Sequence, residues 1–435
     1  MSCCSIVPRF IAAGIAVVAA LASRPAYGQA DGTLPLVPHA LAAAVGVPPA
    51  VAAAQADINR GIADRAAAGA PPSWFLVAGA SEVPDADFSA GNIGLEIGRE
   101  ILPGGQRAAE RAVADAELAR MQGELSRATL RADASLIRAA SRALIWERIR
   151  RRRIAHDSLL TTAEEALRVR FSTGEGRYLD VLRIRTERLR VTAAIAAAQA
   201  EVLSGTAVLL GLAADPDHRT TLRTALKAAE DSPDALAGPL PAIPDSDSLA
   251  KASPALVLAS AGVARAEAEG AREVASRGVQ GNVSAGIQRI GQANDGPTLG
   301  PKLGVTLTLP FLSRGANDRV RAAADSAGVA AKSHLAAVKA ETSARLAEAS
   351  ARYAGAREQV AVYDATLLRG AQSEREVALA TYRAGTLSLL ELLDFERALA
   401  DAEIGRLESL LAVAQAWADL LDAQAGTPSP DAPES

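Results

Sequence analysis

Phe171-Ser172-Thr173-Gly174-Glu175-Gly176-Arg177-Tyr178-Leu179-Asp180-Val181-Leu182 returns 211 residues later as Tyr382-Arg383-Ala384-Gly385-Thr386-Leu387-Ser388-Leu389-Leu390-Glu391-Leu392-Leu393. In both copies a run of helical period reaches an aromatic residue, reverses at a glycine and restarts as a second amphipathic run. One helix-turn-helix unit used twice predicts a pseudo-symmetric molecule. Upstream of the first reversal, Arg107 to Phe171 reads as a helix of roughly 65 residues, on the order of 100 Å at 1.5 Å per residue. Ala316 to Tyr382 is its counterpart. Tyr178 to about Leu210 and Leu389 to Ala423 follow the reversals, and shorter helices over Pro49–Ala68 and Pro254–Arg277 open each half. A short helix stacked on a post-turn helix approximately matches one long helix, so the chain offers about four helical columns.

The columns carry heptad seams. Leu182, Leu189, Ala196, Leu203 and Leu210 fall seven apart, and Leu393, Ala400, Leu407, Ala414 and Leu421 keep that register in the second copy. On the long helix, Leu118, Leu125, Ala132, Ala139 and Trp146 form one series, and Leu130, Ile137 and Leu144 form another. The two series lie about 150° apart, which places a neighbour on each side.

Between the short and long helices of each half the period changes to two. Ile93, Leu95 and Ile97 share one face of Asn92–Arg99, with Asn92, Gly94, Glu96 and Gly98 on the other. Trp74 to Val83 is its partner strand across Pro84-Asp85-Ala86-Asp87. In the second half, Val279 to Ile290 sets Gln280, Asn282, Ser284 and Gln288 on one face, and Lys302 to Leu309 alternates with Leu303, Val305 and Leu307. Gly291 to Pro297 is a loop by composition. Each second strand enters its long helix through a turn, Pro103-Gly104-Gly105 or Ser313-Arg314-Gly315.

Composition supports paired helices over a thick globule: 49% of residues are apolar but only 3% aromatic. Arg9, the apolar run Phe10–Ala22 and the small-residue site Ala26-Tyr27-Gly28 make residues 1–28 a secretory signal. Both cysteines, Cys3 and Cys4, precede that run, so the mature chain loses disulfide and thiolate chemistry. Losing Arg9 and Arg24 takes the formal charge from -4 to -6, which argues against nucleic acid as a partner. His39, His156, His218 and His334 follow no ligand spacing. With no nucleophile-base constellation and no phosphate loop, neither metal, cofactor nor catalysis is expected. The run Arg148–Arg153 reads as a solvated helix face, with a docking or anion patch as the other reading. The chain divides into residues 29–210 (first repeat), 211–247 (a linker with a short helix around Thr221–Ala229), 248–425 (second repeat) and 426–435 (a disordered tail by composition).

Strands of about ten residues with one apolar face, on a secreted chain, suit a bilayer crossing. Four strands cannot close a barrel, so copies must pool them: two give eight and a filled interior, three give twelve and a water-filled one. A soluble periplasmic coiled-coil scaffold or adaptor is the alternative.

Three marks carry a resemblance: Tyr382-x-x-Gly385-Thr386 followed by Leu389-Leu390-Glu391-Leu392-Leu393-Asp394; Phe171-x-x-Gly174 with Leu179-Asp180-Val181-Leu182; and strand-Pro103-Gly104-Gly105-helix. In these the chain, from about Leu41 to Gly426, resembles the TolC-like outer membrane efflux family, the outer membrane factors of tripartite efflux systems, which include a CzcC-like heavy-metal branch. The resemblance implies a mainly α chain with a small β part. It further implies a homotrimer with a coiled-coil tube in the periplasm, below a 12-stranded barrel in the outer membrane lipid of a Gram-negative bacterium. Ile93, Leu95, Ile97, Leu303, Val305 and Leu307 would belong to the membrane strands. Gly174, Arg177, Gly385, Thr386 and Leu387 would form the tips that dock a periplasmic adaptor, itself joined to an inner membrane pump. Arg177 and Leu387 differ in kind, so the second tip lacks the basic residue of the first. Glu391 and Asp394, with Asp180 in the first copy, would ring the periplasmic gate, where mutual repulsion raises pKa values and attracts cations. Ordinary first-turn acids that offset the helix macrodipole are the competing account of Asp180 and Glu391. The cargo, whether metal ion, drug or secreted product, is not implied.

Overall fold

The computed structural model describes residues 37–81, 92–102, 104–213, 215–232, 236, 238–290, 298–308 and 314–426. The signal, the Pro84–Asp87 turn, Pro103, the Gly291–Pro297 loop, Ser313 and the tail beyond Gly426 lie outside the described residues. The first half runs α1 (His39–Ala44), α2 (Pro49–Ala67), β1 (Trp74–Ser81), β2 (Asn92–Ile101), α3 (Gln106–Ser172) and α4 (Tyr178–Gly211). Two helices follow, α5 (Pro216–Asp231) and α6 (Ser246–Lys251). The second half runs α7 (Pro254–Ser276), β3 (Gln280–Ile290), β4 (Thr298–Thr308), α8 (Arg314–Val362), a π-helical turn (Tyr363–Leu367), α9 (Leu368–Arg383) and α10 (Leu389–Ala425). β4 begins four residues before the predicted Lys302.

The helices form four columns side by side. Both α2 and α4 pack along α3, α3 packs along α7 and α10, and α7 and α10 pack along α8 and α9. Small residues set the spacing. A Cβ on Gly205 of α4 would lie 2.7 Å from the Ala143 backbone of α3, and one on Gly61 of α2 would meet the Met121 sulfur. The main core sits midway along the tube, where Leu136, Ile137, Leu144, Ile145 and Ile149 of α3 meet Leu41 of α1, Leu222 of α5, Tyr353 of α8 and Val413 of α10. A second cluster near the reversals joins Leu160, Leu167, Val181 and Ile184 to Leu393 of the other hairpin.

The arginine run is not a solvated face. Arg148 donates to Ser232 O at 2.6 Å and Arg151 to Glu230 O at 2.9 Å, satisfying carbonyls at the C-terminal end of α5. Arg152 pairs with Glu403 of α10, and Arg153 donates to Ala194 O of α4 at 2.7 Å. Glu147 bridges Arg150 and Arg151, which hold its carboxyl below the usual range against the opposing effect of burial. The run therefore ties α3 to three other helices.

The second long helix is not continuous. Tyr363–Leu367 form a π turn, which adds one residue to a helix. Below it, Leu160 and Leu167 of α3 correspond to Ala371 and Ala378 at the 211-residue offset; above it, Leu136 and Ala139 correspond to Leu346 and Ala349 at 210. The turn grips α10, with the Tyr363 ring against bare Gly405 and Asp364 paired with Arg406.

Where α7 stacks on the end of α10, three carbonyls at that end find side-chain donors. Ser253 Oγ reaches Gln424 O at 2.6 Å, Arg127 Nε reaches Ala425 O at 3.2 Å, and Arg131 reaches Gly426 O at 2.7 Å. Beside them the Gln424 side chain is fully buried and its amide makes no hydrogen bond to the described residues. An unsatisfied buried amide costs about 1–3 kcal/mol, so Gln424→Met is expected to stabilise the chain. Thermal unfolding followed by circular dichroism reads this as a higher midpoint; a lower one rejects the account.

Candidate functional site: two sheet faces and two hairpin tips

The four strands form one antiparallel sheet in the order β1-β2-β3-β4, so the two hairpins pair with each other through β2 and β3. Residues opposite one another share a face. One face consists of rows such as Leu76, Ile97, Ala285, Leu303 and Ala78, Leu95, Ile287, Pro301. All six apolar strand residues picked from the sequence, Ile93, Leu95, Ile97, Leu303, Val305 and Leu307, lie here and are exposed, Leu303 by 83%. At the helix-proximal end of this face, Arg99 lies 5.6 Å from the Trp74 ring centroid and donates to Pro72 O at 3.2 Å. An aromatic-arginine pair at the edge of an apolar band suits a lipid-water interface.

The opposite face is polar and glycine-rich. Its central row is Val77, Glu96, Gly286, Lys302, flanked by the rows Phe75, Gly98, Ser284, Gly304 and Gly79, Gly94, Gln288, Gly300. β1 and β4 are the free edges, and they run antiparallel to each other.

The helical layer is open on the same flanks. α4 buries Val181, Ile184, Ala198, Val202, Gly205 and Leu209, of which Val181, Val202 and Leu209 stand one position before the predicted seam. The predicted seam residues Leu189 and Leu203 stand 65% and 60% exposed. In the second copy, Leu393, Ala400, Ala414 and Leu421 are buried because α10 has columns on both sides. α4 is long and apolar enough to cross a membrane, but it packs lengthwise on α3, so its open stripe reads as a lateral contact.

Both reversals are glycine-terminated Schellman turns. Gly174 and Gly385 have φ of 82° and 79°. Glu175 N donates to Arg170 O at 2.9 Å and Thr386 N to Thr381 O at 3.2 Å. A Cβ at either glycine would meet nothing within 4 Å, so the requirement is backbone conformation, worth about 1 kcal/mol or more for an L residue. The restarts differ. Arg177 caps α4 through backbone alone, whereas its positional equivalent, Ser388, one after Leu387, forms a capping box with Glu391.

The candidate gate acids have distinct partners. Glu391 accepts from Ser388 N at 2.8 Å, which, with the Ser388 hydroxyl, holds its carboxyl below the usual range. Asp180 lies in the first turn of α4. Asp394 sits 3.8 Å from Arg183 of α4, and one turn further Arg397 sits 3.5 Å from Glu187. These two ion pairs join α4 and α10, the helices that follow the two reversals, and were not foreseen. Each hairpin is also clamped internally, by Glu164 with Arg188 at 2.7 Å in the first and Arg375 with Glu396 at 2.6 Å in the second. Hydrogen bonding from Arg188 keeps Glu164 ionised well below its usual value. Among the described residues no His, Cys, Asp and Glu cluster could hold a metal ion.

No protein-family model and no curated protein matches this chain. Solved structures do. A membrane protein from Pseudomonas aeruginosa is 17% identical with a TM-score of 0.70, over 88% of this chain and 91% of that one. The Campylobacter jejuni CmeC outer membrane channel is 11% identical with a TM-score of 0.68, over 89% and 84%. The open-state MtrE outer membrane channel of Neisseria gonorrhoeae is 16% identical with a TM-score of 0.63, over 89% and 88%. The architecture is therefore that of outer membrane channel proteins. The chain has the TolC-like fold.

Proposed function

We propose that this chain is the outer membrane duct of a tripartite efflux or secretion system, passive in itself and driven by an inner membrane pump through a periplasmic adaptor. One observation carries the reading: sheet and helical layer are open on the same two flanks, and each open edge suits the other. β4 of one copy can pair antiparallel with β1 of the next, while the α4 leucine stripe meets the column of α8 and α9. Repetition closes a ring without leaving edges. The polar, glycine-rich face argues for three copies and twelve strands, since an eight-stranded barrel needs side chains to fill it. The apolar face then meets lipid, the twelve columns form a tube, and the glycine reversals become the tips that meet the adaptor. Asp394 and Glu391 ring the entrance, with Arg183 and Arg397 latching the hairpins closed.

Cell fractionation tests the assignment. The expected result is a detergent-dependent, heat-modifiable trimer in the outer membrane fraction. A fully soluble periplasmic monomer overturns it and favours the scaffold alternative.

A further inference from the structure

The polar face of the sheet holds one ion pair in an unusual setting. Lys302 Nζ lies 2.5 Å from Glu96 Oε1, and Ser284 Oγ donates to Glu96 Oε2 at 2.8 Å. The two charges belong to strands that are not neighbours, since β3 runs between β2 and β4. They meet because the residue between them in the row is Gly286. A Cβ on Gly286 would lie 2.7 Å from Glu96 Cα and 2.9 Å from its Cγ. Glycines also stand two residues either side of each charge, Gly94 and Gly98 on β2 and Gly300 and Gly304 on β4. The pair therefore lies on a stretch of wall where glycines replace side chains on three strands, with Val77 beside it in the row and the Phe75 ring over Gly98. Along this face Asn282, Ser284, Gln288 and Thr306 are uncharged, and the further charge among the described residues is Glu100, opposite Asn282 and four residues from Glu96 on β2.

We infer that Glu96 and Lys302, bridged over Gly286, form a charge-balancing element of the barrel wall that keeps this level of the passage wide and free of a charge preference, leaving Glu100 as the acid nearer the helical layer. This rests on the barrel reading above. Three Glu96 carboxylates left bare around one lumen would attract cations and repel anions, because the low-dielectric wall focuses their field into the passage. Lys302 cancels that field at its source, and the glycines leave the cross-section clear. Lys302 is thus a selectivity-determining residue: it cancels the preference that Glu96 alone would set.

Gln288 sits one row away, about 7 Å along the strand, and serves as a reporter. In a Cys3→Ser, Cys4→Ser background, Gln288→Cys on the polar face and Leu303→Cys on the apolar face are exposed in whole cells to a cationic and an anionic thiosulfonate. Gln288→Cys is expected to react with both reagents, and Leu303→Cys with neither. Adding Lys302→Gln should raise the cationic-to-anionic rate ratio at Gln288→Cys about five-fold, the scale of one unit charge at that distance in water. Adding Glu96→Gln as well should return the ratio to its starting value, which a merely structural pair would not do. If Leu303→Cys reacts as readily as Gln288→Cys, the barrel reading fails. If the faces differ as expected but the ratio does not move with Lys302→Gln, the barrel stands and this inference is overturned.

Discussion

Replacing Arg183 and Arg397 together by alanine is expected to raise the spontaneous open probability of the proposed duct about 100-fold in planar bilayers. The two arginines hold α10 to α4 through Asp394 and Glu187, at 3.8 Å and 3.5 Å, on the side chains nearest the reversals. The Arg183–Asp394 pair is exposed and the Arg397–Glu187 pair half-exposed, and such surface pairs contribute roughly 0.5 kcal/mol singly. In the proposed trimer, opening the entrance breaks all six in one step, so their effects sum to about 3 kcal/mol, two powers of ten in population. A single substitution should accordingly do little alone. The charge exchange Glu187→Arg with Arg397→Glu should restore closure while leaving Asp394 untouched. An unchanged open probability in the double alanine variant would sink the latch. Removing both acids, Glu391→Ala with Asp394→Ala, should likewise raise conductance and weaken cation preference. Glu391→Ala alone acts mainly on helix start, because its carboxylate serves the Ser388 cap.

Tyr353→Ala is expected to destabilise the tube by about 3–5 kcal/mol, the range for deleting a buried aromatic. Tyr353 is fully buried, its ring centroid 5.0 Å from that of Trp417, and its hydroxyl donates to Pro241 O at 2.8 Å. One side chain thus joins α8 to α10 and anchors the linker between the two repeats. Tyr353→Phe keeps the packing and loses only the hydrogen bond, about 1 kcal/mol. Burial pushes the phenol up to about 12. The folded state therefore holds its proton more tightly than the unfolded chain, where tyrosine titrates near 10. The stabilisation is complete below about pH 10 and fades as pH rises toward about 12. Thermal midpoints for the three proteins, measured with and without alkali, check both claims; equal midpoints for Tyr353 and Tyr353→Ala would refute the first.

Much of the architecture is legible in residue order because its signals are local. Heptads mark the columns, alternation marks β2, and a glycine after an aromatic marks each reversal. The unforeseen features depend on what lies far away in the chain. The Tyr363–Leu367 π turn adds one residue while apolar spacing continues on either side, so periodicity carries no trace of it. The arginine run looks solvated until α5 brings its bare carbonyls alongside. The predicted α4 seam stands exposed at Leu189 and Leu203, because the face that packs on α3 begins one position earlier, at Val181. Glu96 and Lys302 each sit in an alternating strand, but their meeting requires the register of three strands and the gap at Gly286. Of the candidate gate, the acids are visible from their place after the reversals, whereas their partners Arg183 and Arg397 are ordinary helix charges until the two hairpins are set side by side.

The matching order of columns and strands has a geometric consequence at their joints. Strands in a sheet lie about 4.8 Å apart, whereas packed helices lie about 8–10 Å apart. Four abreast, the same chain is therefore roughly twice as wide in one layer as in the other, and each connection must splay or tilt to take up the difference. Between α2 and β1 stand Gly69, at φ 67°, and the pair Pro71-Pro72; between β2 and α3 stand Gly104 and Gly105, the latter at φ 89°. These short elbows act as a tapered adapter between two layers of unequal pitch, so their stiffness governs how far a twist of the helical layer can reach the sheet.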